Sequence, residues 1–227
     1  MFRNDTVLFQ FIGPMGVRVE VGQSLAMLVA FLVLLSGGDL VSGLIFAGLL
    51  VLAIFLHELG HAWGCVVQGV PVRRIMLHGG GGFCERARSA TRSEDELIVL
   101  MGPLVNLGLW ALSSLGLWAL WLAMPFPPSA FLLELSYALS LFAFLNIALF
   151  IFNLIPVQPL DGGKLLHLQM LRFVTPGAAH RITGRIGLVL SILWIPTAIV
   201  AYVNYGWILF FFPSIPAHYR MARGQLA

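Results

Sequence analysis

Long apolar runs are the feature that most restricts how this chain can fold. They occupy residues 21–36, 40–69, 97–123, 131–153 and 186–203, and a shorter run, residues 207–216, contains Pro213. A helix of about 20 apolar residues crosses the hydrocarbon core of a bilayer. Charged residues make up 10% of the chain, whereas a soluble domain has about a quarter. The sequence therefore predicts an all-α polytopic membrane protein with about six transmembrane helices.

The basic residues indicate how these helices are oriented. With six crossings, residues 37–39, 124–130 and 204–206 lie on one side of the membrane and contain no Lys or Arg. All 13 Lys and Arg residues fall on the other side, which the positive-inside rule assigns to the cytoplasm. Both termini are thus predicted to be cytosolic, and a prokaryotic inner membrane is the expected location. The basic residues form no stripe, which argues against nucleic acid as a partner.

The rest of the composition predicts one membrane-embedded domain over residues 1–227. No long linker, low-complexity tract or internal repeat divides the chain. The two cysteines, Cys65 and Cys84, are too few for a disulfide framework. Residues 1–20 lack the apolar core of a signal peptide, so membrane insertion is expected to depend on the first span.

Two stretches depart from helical periodicity. Residues 17–21 alternate with a period of two, as a strand does. Residues 70–88 begin with a β-favouring segment and contain four consecutive glycines, which predicts a hairpin or a re-entrant loop. Such backbone survives at membrane depth only where protein or a wet cavity shelters it. The predicted fold therefore includes a small membrane-associated β element, an N-terminal strand plus a glycine-rich hairpin.

The second apolar run contains the polar motif HELGH at residues 57–61. His57 and His61 are four residues apart, so on a helix they share one face, about 6 Å apart along the axis, and can bind one metal ion. Glu58 can reach a water activated by that metal without being a ligand. Packing histidines beside a buried acid are the alternative. An unpaired acid in mid-bilayer costs about 2.5–3.5 kcal/mol, which a metal site offsets and packing does not.

A catalytic zinc ion needs a third protein ligand. Elimination among the few polar residues favours Asp161, while His78 in the glycine hairpin stays open. Glu134 is expected at the wrong depth, and the acidic residues 94–96 are expected to cap a helix in solvent. The histidines in predicted cytosolic segments are expected at the surface; these are His167, His180 and His218.

Asp161 lies in the sequence NLIPVQPLDGG, residues 153–163. Pro156 and Pro159 forbid a regular continuation of the helix that ends at Asn153, and the glycines after the aspartate permit a sharp turn. The segment is therefore predicted to be unwound at membrane depth. Its carboxylate can reach the HELGH helix only if the segment folds back or if the site lies in a water-filled recess.

Three motifs together resemble the site-2 protease family of intramembrane zinc metalloproteases, peptidase family M50. They are HELGH at 57–61, GPLVN at 102–106 and NLIPVQPLDGG at 153–163, in matching order and spacing. The resemblance implies that His57, His61 and Asp161 bind one zinc ion. The strand and the glycine hairpin are similar to family elements thought to line substrate entry. No room is evident for PDZ or CBS domains, so a compact form is expected.

The resemblance also implies an activity, the cleavage of transmembrane segments of other proteins within the bilayer. Glu58 would activate the water, and Asn153, with Asn106 as a weaker candidate, would polarise the scissile carbonyl or hold an extended substrate. Regulated intramembrane proteolysis and the clearance of signal-peptide remnants are the expected roles. The expected partners are membrane-spanning proteins or peptides and the lipid bilayer.

Two other functions fit parts of the sequence. A prenyl-protein type of membrane protease also uses HExxH, but it takes a third ligand from a later glutamate-rich helix, and Glu134 is the sole glutamate after residue 96. A metal transporter or an inactive scaffold would bind the ion without chemistry. Glu58 argues against that alternative because pure binding has little use for a base beside the metal.

Overall fold

The structure is a computed structural model that describes residues 5–205 and 211–225. Most of this part of the chain is helical, as predicted. Its elements in chain order are β1 (Val7–Ile12), β2 (Arg18–Gly22), α1 (Gln23–Leu35), α2 (Leu40–Val67), β3 (Val72–His78), β4 (Gly81–Arg86), α3 (Arg92–Ala123), α4 (Ala130–Asn153), α5 (Asp161–Met170), α6 (Pro176–Tyr205) and α7 (Ile215–Ala222).

The chain forms two compact units, each of which is described by itself. The first unit comprises Met1–Ala90 and Met101–Ile151, and the second comprises Thr91–Leu100 and Phe152–Ala227. The single domain expected over residues 1–227 stays a prediction.

The first unit contains a four-stranded sheet in the order β1-β2-β3-β4. β1 and β2 are antiparallel, β2 and β3 are parallel, and β3 and β4 form an antiparallel hairpin. The strand expected at residues 17–21 and the glycine-rich hairpin are therefore confirmed. β1 was missed because its sequence, VLFQFI, lacks a clean alternation, and all six of its residues are exposed at the edge of the sheet.

One face of this sheet packs against helices of the same unit. Val19, Ile75 and Leu77 are buried in a cluster that also contains Leu25 of α1 and Ala62 of α2. On β2 the alternation that predicted a strand places the valines in this cluster. The sheet thereby lies against α2, close to the residues of the HELGH motif.

Charged side chains tie three of the strands together. Arg74 on β3 donates to Glu20 on β2 and to Glu85 on β4, both at 2.6 Å. Arg73 adds a longer contact to Glu85 at 3.1 Å. Arg74 holds the pKa of the Glu85 carboxyl below its usual value. The ion pairs of Arg74 thereby connect the pair of β1 and β2 to the hairpin of β3 and β4.

Within the part of the chain that the structure describes, four helices are long and apolar enough to cross a bilayer: α2, α3, α4 and α6. Large apolar side chains on their surfaces, such as Leu112 and Phe131, are exposed, as expected where helices face lipid. The chain is thus a multi-pass membrane protein. α1 has 13 residues and a length of about 20 Å, short of the hydrocarbon core of about 30 Å. Residues 207–210 of the run at 207–216 lie outside the described residues, so the count of six spans is not confirmed.

The second unit is built around α5, α6 and α7. α7 lies against α6, where a Cβ on Gly184 would come within 2.6 Å of Met221 and one on Gly187 would collide with the His218 ring. The expectation that His218 lies at the surface is wrong, because its side chain is 1% exposed. His167 and His180 are half-buried rather than on the surface. Their rings pack edge to face with centroids 6.3 Å apart.

Candidate metal centre

The HELGH residues lie on the regular helix α2 of the first unit. His57, Glu58 and His61 are all buried, between 5% and 7% exposed. The four-residue spacing brings the Nε2 atoms of His57 and His61 to 3.1 Å from each other. Two nitrogens on one tetrahedral zinc ion are separated by about 3.3 Å, given Zn–N bonds of 2.0–2.1 Å. A single helix therefore presents two nitrogen ligands at nearly the separation that the metal requires.

Two glycines make room for these side chains. A Cβ at Gly102, in the GPLVN motif on α3, would collide with the His61 ring and would lie 2.8 Å from Cε1 of His57. A Cβ at Gly82 on β4 would lie 2.6 Å from Cγ of Glu58. Both positions require glycine because a backbone approaches the side chains of the HELGH motif closely. Both glycines lie in segments that the sequence singled out, but the sequence did not predict this role for them.

Glu58 has an unusual environment for a carboxylate. Its Oε2 atom is buried and has no hydrogen-bond partner within the described residues. A buried acceptor without a partner costs free energy, so its persistence calls for a function or a ligand. The oxygen is available to a water or a substrate group near the histidines.

Asn106 contacts a histidine rather than open space. Its side chain is 0% exposed, its Oδ1 lies 2.6 Å from Nδ1 of His57, and its Nδ2 donates to Oδ1 of Asn146 at 2.8 Å. The contact with a substrate that the resemblance implied for Asn106 stays a prediction. Asn146, also 0% exposed, was missed because an asparagine in an apolar helix carries no motif.

Asp161 is the first residue of α5 in the second unit. Its side chain is 3% exposed, and its Oδ1 accepts a hydrogen bond from Nζ of Lys164 at 2.9 Å. The segment before it is irregular, as the prolines predicted, and α4 ends at Asn153, which is half-buried. A carboxylate in the first turn of a helix is favoured by the helix dipole.

The glycines after Asp161 do not make the sharp turn that was expected. Gly162 and Gly163 are helical residues in the first turn of α5, and neither has a positive φ. A Cβ on Gly162 would meet the carbonyl groups of Leu154 and Ile155, and a Cβ on Gly163 would lie 2.5 Å from the carbonyl carbon of Val157. These glycines therefore let the helix pack directly on the backbone of the irregular segment.

A second contact to this segment comes from α7. The Gln158 N–H donates to Nε2 of His218 at 3.1 Å, and Nδ1 of His218 lies 2.8 Å from the carbonyl oxygen of Ser214. His218 thereby holds the irregular segment three residues before Asp161. The sequence carried no signal for this contact, because the two residues are 60 positions apart.

The predicted metal ligands are buried residues of both units. His57 and His61 of the first unit and Asp161 of the second each offer one ligand atom that could bind a metal ion. Catalytic zinc proteases bind the metal through two imidazoles and one carboxylate and have a general base beside it. The residues present here therefore fit a zinc ion. His78 is not among these residues; it is buried, its Nδ1 accepts from the N–H of Gly80, and burial lowers its pKa.

Comparisons with known proteins find peptidases and zinc metalloproteases among the chains that are similar to this one. The family model described as Peptidase family M50 matches residues 122–194. Stage IV sporulation protein FB of Bacillus subtilis is 30% identical over 175 residues, 73% of this chain and 55% of that protein. A zinc metalloprotease of Methanocaldococcus jannaschii is 29% identical over 183 residues, 79% of this chain and 50% of that protein.

A solved structure shares the fold. The site-2 protease from Methanocaldococcus jannaschii covers 95% of this chain and 92% of its own, with a TM-score of 0.61 and 21% identity. The chain thus resembles peptidase family M50 over residues 122–194 and shares the fold of a site-2 protease. It spans only about half the length of the two sequence relatives named above.

Proposed function

We propose that this chain is an intramembrane zinc metalloprotease that cleaves transmembrane segments of other membrane proteins. The observation that carries the proposal is the environment of Glu58, a buried carboxylate beside the two histidines, one oxygen of which has no hydrogen-bond partner among the residues that the structure describes. A site that only bound metal would gain nothing from this acid, which costs about 2.5–3.5 kcal/mol in mid-bilayer. The site-2 and zinc metalloprotease names of similar proteins support the same activity.

His57, His61 and Asp161 would hold one zinc ion. When bound there, the ion would polarise the scissile carbonyl and lower the pKa of a water. Glu58 takes the proton of the attacking water and passes it to the leaving amine, so the water oxygen is added to the carbonyl carbon as the C–N bond breaks. The amide of Asn153 donates to the carbonyl oxygen as negative charge develops on it.

The substrate must be extended before it can react. In a helix each peptide group is engaged in the backbone ladder, so a transmembrane substrate has to unwind locally. The hairpin of β3 and β4 lies beside Glu58 through Gly82 and would line the path by which the substrate and water enter. Regulatory proteolysis and the clearance of signal-peptide remnants are the roles that this chemistry serves.

We also propose that the protein resides in a prokaryotic inner membrane with both termini in the cytosol. If the chain crosses the membrane six times, as the sequence predicts, all 13 Lys and Arg residues lie on one side, which supports this orientation. Cysteine accessibility at positions near each terminus, measured in intact cells, would test it.

The activity is tested by Glu58→Gln in detergent with a transmembrane substrate. The variant should keep its zinc and lose activity by at least about a hundredfold, because the amide cannot accept the proton. Asp161→Ala should lose both zinc and activity. Glu134→Gln, which changes an exposed carboxylate on α4, is the matched control and should cleave normally. Wild-type turnover by Glu58→Gln, or bound zinc without hydrolysis by the wild type, would contradict the proposal.

A further inference from the structure

A chain of hydrogen bonds connects three helices of the first unit and ends on His57. Asn146 on α4 donates from Nδ2 to the carbonyl oxygen of Phe142 at 2.8 Å. Asn106 on α3 donates from Nδ2 to Oδ1 of Asn146 at 2.8 Å, and its own Oδ1 lies 2.6 Å from Nδ1 of His57. We call Asn106 and Asn146 the amide pair; both are fully buried.

The donor and the acceptor in each of these hydrogen bonds follow from the bond between Asn146 and the carbonyl oxygen of Phe142. A backbone carbonyl can only accept, so Asn146 must turn its NH2 group toward Phe142 and its oxygen toward Asn106. Asn106 must then turn its NH2 group toward Asn146 and its oxygen toward His57. That oxygen also can only accept, which requires a proton on Nδ1 of His57. Each step leaves one orientation in which all groups are satisfied.

We propose that the amide pair holds His57 in the Nδ1–H tautomer and thereby directs the Nε2 lone pair toward the metal. The neutral imidazole carries one proton, so a proton fixed on Nδ1 leaves Nε2 as the acceptor. This inference rests on the proposed function for the identity of the ion. Asn106 and Asn146 are positioning residues in this assignment, because both act through His57 and neither contacts the metal.

Simple packing of two asparagines between apolar helices is the competing explanation. Packing alone would require that each amide group have hydrogen-bond partners. It would not favour either tautomer of His57. The amide pair instead presents an acceptor, and only an acceptor, to Nδ1. Partners of this kind orient metal-binding histidines, and their loss lowers metal affinity or activity by about 10–100-fold.

The tautomer can be measured in metal-free protein with ¹⁵N-labelled histidine. The His57 ring, assigned as the signal that His57→Asn removes, should show protonated Nδ1 and unprotonated Nε2 in the wild type. Asn106→Ala should give a mixture of tautomers. Ser136→Ala is the matched control, because Ser136 is a buried residue of α4 whose hydroxyl donates to a backbone carbonyl, that of Leu133. A wild-type tautomer in Asn106→Ala would overturn the proposal.

Zinc affinity, measured by competition with a chelator, gives the second readout. Asn106→Ala should weaken binding about 10–100-fold and Ser136→Ala less than threefold. Asn106→Asp should bind more tightly than Asn106→Ala, since one carboxylate oxygen still accepts from Nδ1–H, but less tightly than wild type, since the other cannot donate to Asn146. This partial rescue separates positioning from folding. Unchanged affinity in folded Asn106→Ala, or no recovery in Asn106→Asp, contradicts the proposal.

The role of Asn146 is tested by a double-mutant cycle. If Asn146 acts through Asn106, Asn146→Ala should weaken zinc binding severalfold in the wild type and have no further effect beside Asn106→Ala. If the losses of zinc affinity add in the double variant, Asn146 does not act through Asn106 and this part of the proposal is wrong. Should the wild type bind no zinc at all, the proposed function fails, while the tautomer in metal-free protein still decides this inference.

Discussion

His57 and Asp161 belong to two regions that are ordered by different kinds of contact. His57 lies on a regular helix, and its orientation depends on side chains, the ring of His61 and the amide of Asn106. Asp161 follows an irregular segment, and its position depends on backbone packing at Gly162 and on the bond from Gln158 to His218. Substitutions of the residues that orient His57 should therefore alter metal binding. Substitutions of the residues that pack around the Asp161 segment, with the Asp161 carboxylate itself retained, should alter folding stability.

The largest expected effects come from one glycine in each region. Gly102→Ala should lower zinc affinity by more than about a hundredfold with little change in unfolding, because its Cβ displaces the histidine rings. Gly162→Ala should destabilise the protein by about 3 kcal/mol or more, because its Cβ meets backbone that cannot move aside. Chelator competition and thermal unfolding in detergent measure the two effects.

Two other glycines serve as controls for this pair. Gly108→Ala has open space around its Cβ, and Gly177→Ala meets nothing closer than 3.6 Å, so both should fold and bind zinc normally. Equal losses of stability in Gly102→Ala and Gly162→Ala would contradict the contrast between the two regions.

A smaller effect is expected at His218. His218→Ala removes the buried acceptor of the Gln158 N–H. Because that N–H then lacks this partner, the free energy of unfolding should fall by about 1–3 kcal/mol. Gln169→Ala, an exposed change in the same unit, is the control and should be close to neutral. An unfolding temperature equal to that of wild type would show that α7 does not hold the segment.

The smallest effect concerns the sheet beside the helical region. Arg74 lowers the pKa of Glu85 in the folded protein, so this carboxylate stabilises the fold above its unfolded pKa of about 4.3, and that stability is lost as pH falls through the lower folded pKa. Glu85→Gln should cost at most about 1 kcal/mol at pH 7. The difference from wild type should shrink below pH 4 in thermal unfolding; a constant difference would contradict the ion-pair origin.

The two regions also differ in how far they could be predicted from sequence. The His57 and His61 pair follows from helical spacing alone, which is a local property. The irregular segment was predicted from its prolines, and Asp161 was singled out by elimination in a chain with few acidic residues. Asn146 and His218 could not be found in this way, because their partners lie 40 and 60 positions away and depend on how the helices pack.

The lengths of apolar runs, helical spacing and the positions of prolines are local properties of neighbouring residues. The sequence by itself therefore determined a helical membrane protein with a HELGH helix, a strand, a hairpin and an irregular segment before Asp161. The edge strand β1 and the close approach of Gly102 and Gly162 to their neighbours were decided by tertiary structure. So were the orientation of Asn106 toward His57 and the burial of His218. These features depend on which surfaces meet, and burial leaves a polar side chain only the partners that packing brings to it.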